Sequence, residues 1–326
     1  MDRPRYAIGL DVGGTKIAAG VTDAQGKVIT RLAPVLCPGS DQDALLAAVL
    51  NVIEELRARH DGVTGITALG VGAAGLVDWP QGRIRTAPNS GFRDMPFRAL
   101  LQEATGLPTV VDNDANTACW AEFRLGHRAP YMAFITIGTG VGGGIVLADR
   151  LFRGSSGIGT EIGHMVVDPY GPERCGCGTV GCLEALASGT ALGRYGSAAA
   201  ASDPDGTLAT LAGRAPQVTG ETVSAAALQG DSTALAQLER LGHWLGIGIA
   251  TLVNLFDLEL IALGGGVAQV GDPLLKPVRA SFEHFVTARS HRDLPDIVPA
   301  QLGTDAGWIG AALLALEHHP KGRNQS

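Results

Sequence analysis

Short apolar runs and glycine turns follow one another along this chain in an order that occurs twice. Residues 6–10 read as a strand, Asp11-Val-Gly13-Gly14-Thr15 as a turn, residues 17–22 as a second strand, and Ala24-Gln-Gly26 as a further turn before Val28. The order returns at residues 131–137, the turn Gly138-Thr139-Gly140-Val-Gly-Gly-Gly144, residues 145–147, the turn Ala148-Asp-Arg150 and Leu151-Phe152. Strand, glycine turn, strand, turn, strand at two places implies an internal duplication.

Helical periodicity fills the space between and after the repeats. Ser40, with Asp43 three residues on, resembles a capping box and opens an amphipathic helix over 41–59 that ends at Asp61-Gly62. Strands are expected at 68–71 and 110–111, and a helix over 116–124 closed near Gly126. The C-terminal part alternates again: helix 235–256, strand 258–263, helix 274–285, strand 297–300 and a last helix 306–316. This alternation argues an α/β fold, while the Ala-, Gly-, Asp- and Pro-containing stretch 197–220 reads as a mobile loop.

A length of 326 residues allows two compact lobes, each with its own core. With 45% hydrophobic and 17% charged residues and a net charge of -7 without a long run of one sign, the chain reads as soluble and globular, with no nucleic-acid partner. The largely apolar stretch 244–256 falls short of the ~20 residues a membrane span needs. The first strand begins so early that no signal peptide is expected and the cytoplasm is the expected compartment. Of five cysteines, Cys37 and Cys119 lack ligand-type neighbours and are expected to be inert buried thiols.

Two stretches match the dinucleotide pattern G-x-G-x-x-G, beginning at Gly70 and at Gly138. That pattern needs a helix directly after the glycines, and strand-like segments follow here instead. No G-x-x-x-x-G-K-[ST] occurs. A different phosphate cradle remains, on hairpin turns whose N–H groups can face a polyanion. The rival reading is two ordinary hairpins. Asp11-Val-Gly13-Gly14-Thr15-Lys16 exceeds what a hairpin needs, because it adds a carboxylate for a metal, a hydroxyl and a lysine to the glycines.

At Asp112-Asn113-Asp114-Ala-Asn116 a strand end meets a helix start, so Asn113 or Asp114 could simply cap that helix. A cap needs one side chain, and the turn offers four polar ones. Asp114 suits a base that takes the proton from an attacking hydroxyl, with Asn113 holding a neighbouring hydroxyl. Further on, His164, Cys175, Cys177 and Cys182 provide the closed tetrahedral donor set of a structural Zn2+, with no open position for activating water. Glu161 and Glu184 lie in the same segment.

Taken together, DVGGTK, Ala87-Pro88-Asn89, DNDAN, GTGVGGG and EIGH…CGCGTVGCLE…ASG resemble the ROK family of bacterial sugar kinases and repressors, over nearly the whole chain. VGVGAAGLVD, TAPN and WAEFRLG are most similar to the family's actinobacterial ATP-dependent glucokinases. The resemblance implies an actin/hexokinase-like (ribonuclease H-like) fold of two duplicated α/β lobes flanking a cleft. The lobes are expected at 1–117, completed by the C-terminal helix 301–318, and at 118–300, with the zinc segment 161–184. It implies ATP- and Mg2+-dependent phosphorylation of a hexose, with glucose expected.

In that reading Asp114 is the base, and Gly75, Asn89, Asn113, Asp114, Glu161, His164 and Glu184 face the sugar. Asp11 with Gly13, Gly14, Thr15 and Lys16, then Thr139 and Gly140, hold the phosphates and Mg2+, and Gly264, Gly265 and Gly266 form the adenosine loop. A zinc-bound His164 would use one ring nitrogen for the metal and keep the other for a sugar oxygen or a carboxylate. An N-acetylhexosamine kinase, a fructokinase, a polyphosphate-dependent enzyme or a sugar-sensing regulator remain alternatives. The early start leads us to expect no DNA-binding extension, and the family suggests a homodimer or homotetramer.

Overall fold

The computed structural model describes residues 5–39, 41–59, 65–87, 92–213 and 218–319. The first half runs β1 (Tyr6–Val12), β2 (Lys16–Asp23), β3 (Val28–Arg31), β4 (Val35–Leu36), α1 (Gln42–Arg59), β5 (Ile66–Ala73), β6 (Leu76–Val77), β7 (Ile84–Ala87), β8 (Phe92–Met95), α2 (Phe97–Thr105), β9 (Thr109–Asn113) and α3 (Asp114–Leu125). The second half runs β10 (Tyr131–Ile137), β11 (Val141–Leu147), β12 (Arg150–Phe152), α4 (Leu183–Ala187), α5 (Gly189–Ser202), α6 (Thr207–Ala212), α7 (Gly220–Leu228), α8 (Ser232–Phe256), β13 (Leu260–Gly264), α9 (Asp272–Phe285), β14 (Asp296–Pro299) and α10 (Ala306–His318).

The duplication is present in the topology. One sheet has the order β3-β2-β1-β5-β9, with β4 also on β2, and the other β12-β11-β10-β13-β14. In each, a hairpin of antiparallel strands is followed by two parallel additions: β5 beside β1 and β9 beside β5, β13 beside β10 and β14 beside β13. The turns form where glycine and small polar residues allow them. Gly26 takes φ +79° before β3, and Ala148 and Asp149 take φ 49° and 62°, the pair of positive angles a two-residue hairpin requires.

Among the described residues three large apolar clusters hold the halves, beside a small one of Cys175, Cys182 and Ala185. One lies between the first sheet and α1 and α2, with Ile8, Leu45, Ile53, Leu69 and Phe97 buried, and another between the second sheet and α8 and α9, with Ile135, Leu245, Ile249 and Phe282. The third joins the two sheets through α3 and α10, with Cys119, Trp120, Phe134 and Trp308. Glycines permit that junction: a Cβ on Gly9 would stand 1.9 Å from the Trp308 carbonyl oxygen, and one on Gly70 would stand 1.8 Å from that of Ala311. The G-x-G pattern beginning at Gly70 therefore admits α10, and β6 follows it where a dinucleotide site needs a helix.

Two expectations change. Asp41, whose Oδ1 accepts the Asp43 and Ala44 N–H groups at 3.0 and 3.1 Å, caps α1. Ser40 and the expected stop at Asp61-Gly62 lie outside the described residues. The described part of the stretch 197–220, residues 197–213 and 218–220, is largely helical, carrying the end of α5, all of α6 and the start of α7; alanine favours helix even where bulky apolar residues are few. Among the described residues no helix is long and apolar enough to cross a membrane.

Candidate active site

The β9–α3 junction assigns a separate task to each of its polar side chains. Asn113 Oδ1 accepts the N–H groups of Ala115 and Asn116 at 2.9 and 3.1 Å, capping α3, while its Nδ2 donates to the Gly75 carbonyl at 3.2 Å. Gly75 sits at φ +108°, an angle that favours glycine. Asp112 is buried and accepts from Arg153 Nε at 2.7 Å and from Asn116 Nδ2 at 3.1 Å. Among the described residues Asp114 has no side-chain hydrogen-bond donor beyond its neighbourhood in the turn; its Oδ1 accepts the Ala115 N–H at 2.8 Å. Burial pushes its carboxyl above the ordinary range, against the pull of the Ala115 N–H and the Asn113 side chain.

Other carboxylates gather around it. Asp11, at the end of β1, is raised from 3.8 to about 7, first by burial and then by the charge of Asp114. Glu161 is raised chiefly by burial, with His164 opposing and Asp114 and Glu184 adding to the shift. The charge interactions thus place Asp11, Asp114, Glu161, His164 and Glu184 in one neighbourhood, in which Asp11, Asp114 and Glu161 hold protons more tightly than free acids. Asp11 also touches the first turn of α10, where a Cβ on Gly307 would meet its Oδ2 at 2.4 Å. Asn89 lies outside the described residues.

The β1–β2 and β10–β11 turns occupy equivalent places in the two sheets. Gly13 N–H donates to the Lys16 carbonyl at 3.0 Å, with Gly14 and Thr15 at the bend and Lys16 exposed. In the second turn Gly138 N–H donates to Gly140 O at 3.0 Å. The Gly138 and Thr139 carbonyls in turn accept from Gly189 N–H at 2.8 Å and Thr190 Oγ1 at 2.7 Å, at the start of α5. Beside this turn a cavity of about 1020 Å³ opens between α5, α7 and the segment after β13, lined by Thr139, Arg194, Ser224, Gly266 and Gln269 among others. Its size suits a small-molecule ligand.

Of the expected nucleotide residues, Thr139 and Gly266 line the cavity, whereas Gly140, Gly264 and Gly265 do not. Each of those three glycines has a neighbour that excludes a side chain. A Cβ would stand 2.3 Å from Glu184 Oε2 at Gly140, 2.8 Å from the Phe134 ring at Gly264 and 2.4 Å from the Ile137 carbonyl oxygen at Gly265. The wall from α5 and α7 was not anticipated: neither helix was read from the sequence, and only its Ser197, Val218, Thr219 and Gly220 fall in the stretch that reads as a loop.

His164, Cys175, Cys177 and Cys182 converge, with one potential ligand atom from each lying within 4.8 Å of all the others. Cys175 Sγ is 3.6 Å from His164 Nδ1, and Cys177 Sγ 3.7 Å from Cys182 Sγ. Bridges Val166–Cys182 and Arg174–Val180 clip the segment into a knuckle. Burial raises the Cys182 thiol to about 12, while the Thr179 N–H lowers Cys177 to about 7. Three sulfurs and an imidazole nitrogen in a closed group fit Zn2+, whose charge would favour the thiolates that burial disfavours. Glu184 ties this knuckle to the second glycine turn: its Oε2 accepts the Val141 N–H at 3.0 Å and its Oε1 lies 3.5 Å from Cys175 Sγ.

A model of the ROK family matches residues 7–318. The glucokinase of Streptomyces coelicolor is 39% identical over 96% of this chain and 98% of its own length. The N-acetylmannosamine kinase of Yersinia pseudotuberculosis is 34% identical over 94% of this chain and 97% of its own. Among solved structures, a ROK family glucokinase from Streptomyces griseus in complex with glucose and AMPPNP superposes with a TM-score of 0.86 at 39% identity, covering 96% of this chain and 99% of that one.

Proposed function

Since the chain belongs to the ROK family, we propose that it phosphorylates glucose at the 6-hydroxyl with Mg·ATP, using Asp114 as the general base. It is an ATP-dependent hexokinase-type enzyme. The observation that carries the assignment of the base is the division of labour at the β9–α3 junction: Asn113 caps, Asp112 and Asn116 pair with each other, and Asp114 keeps a carboxylate free for a proton. A carboxyl raised by burial is the stronger base once it has lost its own proton. Asp114 accepts the hydroxyl proton as the sugar oxygen attacks the γ-phosphorus, the bond from that phosphorus to the β,γ-bridging oxygen breaks and ADP leaves, while the adjoining carboxylates and His164 hold the other hydroxyls in place.

The cavity beside Thr139 takes the adenosine, and the two glycine turns face the phosphates. Mg2+, when bound, neutralises phosphate charge; Asp11 is the carboxylate placed to hold it through water. Zn2+ on His164 and the three cysteines supplies shape rather than reactivity, fixing His164 and Glu184. In this reading the lobes are 1–117 with 301–318, and 118–300.

Initial rates with Mg·ATP across glucose, N-acetylglucosamine, N-acetylmannosamine, mannose and fructose, followed by ADP release, test the proposal. A preference for glucose in kcat/KM is the expected result. Preference for an N-acetyl sugar would keep the base and the knuckle but replace the substrate, as the resemblance to N-acetylmannosamine kinase allows. No turnover with any sugar, together with a mobility shift on genomic DNA, would move the chain to the regulators.

A further inference from the structure

Glu161 is held in an unusual piece of backbone. It lies at φ -71°, ψ 63°, the centre of an inverse γ-turn closed by the Ile162 N–H donating to the Thr160 carbonyl at 2.7 Å. Thr160 before it takes φ +68°, a left-handed angle that a β-branched residue rarely adopts. Such a conformation persists only where the surroundings impose it.

The surroundings are a chain of buried polar groups that crosses from one sheet to the other. Thr160 Oγ1 shares its one proton between the Gly159 carbonyl at 2.5 Å and Asn116 Oδ1 at 3.2 Å; Asn116 Nδ2 donates to Asp112 Oδ1; Asp112 Oδ2 accepts from Arg153 Nε. Asp112 and Asn116 are each 1% exposed, so these bonds are shielded from water. Arg153 also stacks on Trp79, its guanidinium carbon 3.7 Å from the ring centroid. The Trp79 N–H donates to Ser156 O at 2.9 Å, and Gly159 N–H to Arg153 O at 3.0 Å. The segment leading to Glu161 is therefore fastened at its start by Arg153, in its middle by Trp79 and at its end by Thr160. Asn116 and Asp112 belong to the same junction that carries Asp114, so the last tie fixes Glu161 relative to the base.

We propose that Thr160, through its bond to Asn116 and the Asp112–Arg153 pair behind it, is a positioning residue that sets the placement of Glu161 against Asp114 and thereby the affinity for the sugar. The proposal rests on the sugar-kinase reading given above. Thr160 does not line the nucleotide cavity, so its effect falls on one substrate.

Thr160→Val keeps the branched shape and removes the donor; Thr160→Ser keeps the donor. Both are compared with the wild type in full steady-state kinetics, varying glucose and ATP separately, beside thermal unfolding. Thr160→Val is expected to raise the KM for glucose about tenfold or more while the KM for ATP stays within about twofold, and Thr160→Ser to return the glucose KM to within about threefold of wild type. A purely structural role would lower the active fraction, and so kcat, with both KM values unchanged. That pattern, an unchanged Thr160→Val enzyme, or failure of the serine to rescue would overturn the proposal. A wild-type protein that phosphorylates no hexose overturns the sugar-kinase reading itself, before any variant is compared.

Discussion

Replacing Asp11 with Asn separates two consequences of burying a carboxyl beside another. In the fold its carboxyl is raised from 3.8 to about 7, by burial first and by the Asp114 charge second. A group raised in this way favours the folded state most at low pH: its contribution is complete below the unfolded value and is lost as pH rises through the folded one. Between about pH 5 and about pH 8 the loss amounts to roughly 2–3 kcal/mol, since each pH unit below the folded value carries ~1.4 kcal/mol.

Asparagine does not titrate, so the variant escapes this loss. Removing the Asp11 charge also eases ionisation of Asp114, which acts in the same direction. The unfolding free energy of Asp11→Asn should therefore gain roughly 2–3 kcal/mol on that of the wild type between about pH 5 and about pH 8. At about 2–4 °C per kcal/mol for domains of this class, the melting temperatures should diverge by several degrees. Unfolding is followed without nucleotide and in EDTA, because bound Mg2+ would itself favour the carboxylate. Turnover should fall in the same variant. A difference that is constant with pH, or that narrows, would refute the argument that Asp11 is protonated by its surroundings.

Asp114→Asn should lower kcat by about 10²–10⁴, the usual contribution of a positioned base, while calorimetry still detects glucose binding; near-normal turnover would remove Asp114 from that role. Gly140→Ala would set a methyl group 2.3 Å from Glu184 Oε2 and displace it from the Val141 N–H. A lost bond to a charged group costs about 1.5–3 kcal/mol, so kcat/KM should fall about 10- to 150-fold, and a change within twofold would contradict the link. Metal analysis should find one Zn2+ per chain, with Cys177→Ser weakening its retention and raising the KM for sugar; protein from zinc-supplemented cultures that carries no metal would exclude the site.

Much of the site was legible because several chemical requirements coincide in short segments. The glycine hairpins announce themselves through alternating apolar strands on either side of Gly13-Gly14 and Gly138–Gly140, and both appear as β1–β2 and β10–β11. The three cysteines and His164 fall within one knuckle, so spacing alone brings them close. The walls of the cavity were not legible, because α5 and α7 are built from alanine and glycine and lack the bulky apolar period that marks a helix. Nor could the Asp112–Arg153 pair be read, since it joins positions 41 residues apart, one on β9 and one just past β12.

The glycines show why pattern and role must be separated. Gly70 and Gly72 stand in one G-x-G, yet a side chain on Gly70 would meet the backbone of α10, and one on Gly72 would meet Thr117 Oγ1 at 2.5 Å. Gly265 makes room for the Ile137 backbone, and Gly140 for Glu184. Each of these four glycines records a close approach, and only tertiary structure says by what, whereas Gly138 and Gly266 have open space where a Cβ would stand. Where the approaching group belongs to the proposed site, as Glu184 does, the glycine would be functional without touching a ligand, and its removal should appear in the kinetics rather than in stability alone.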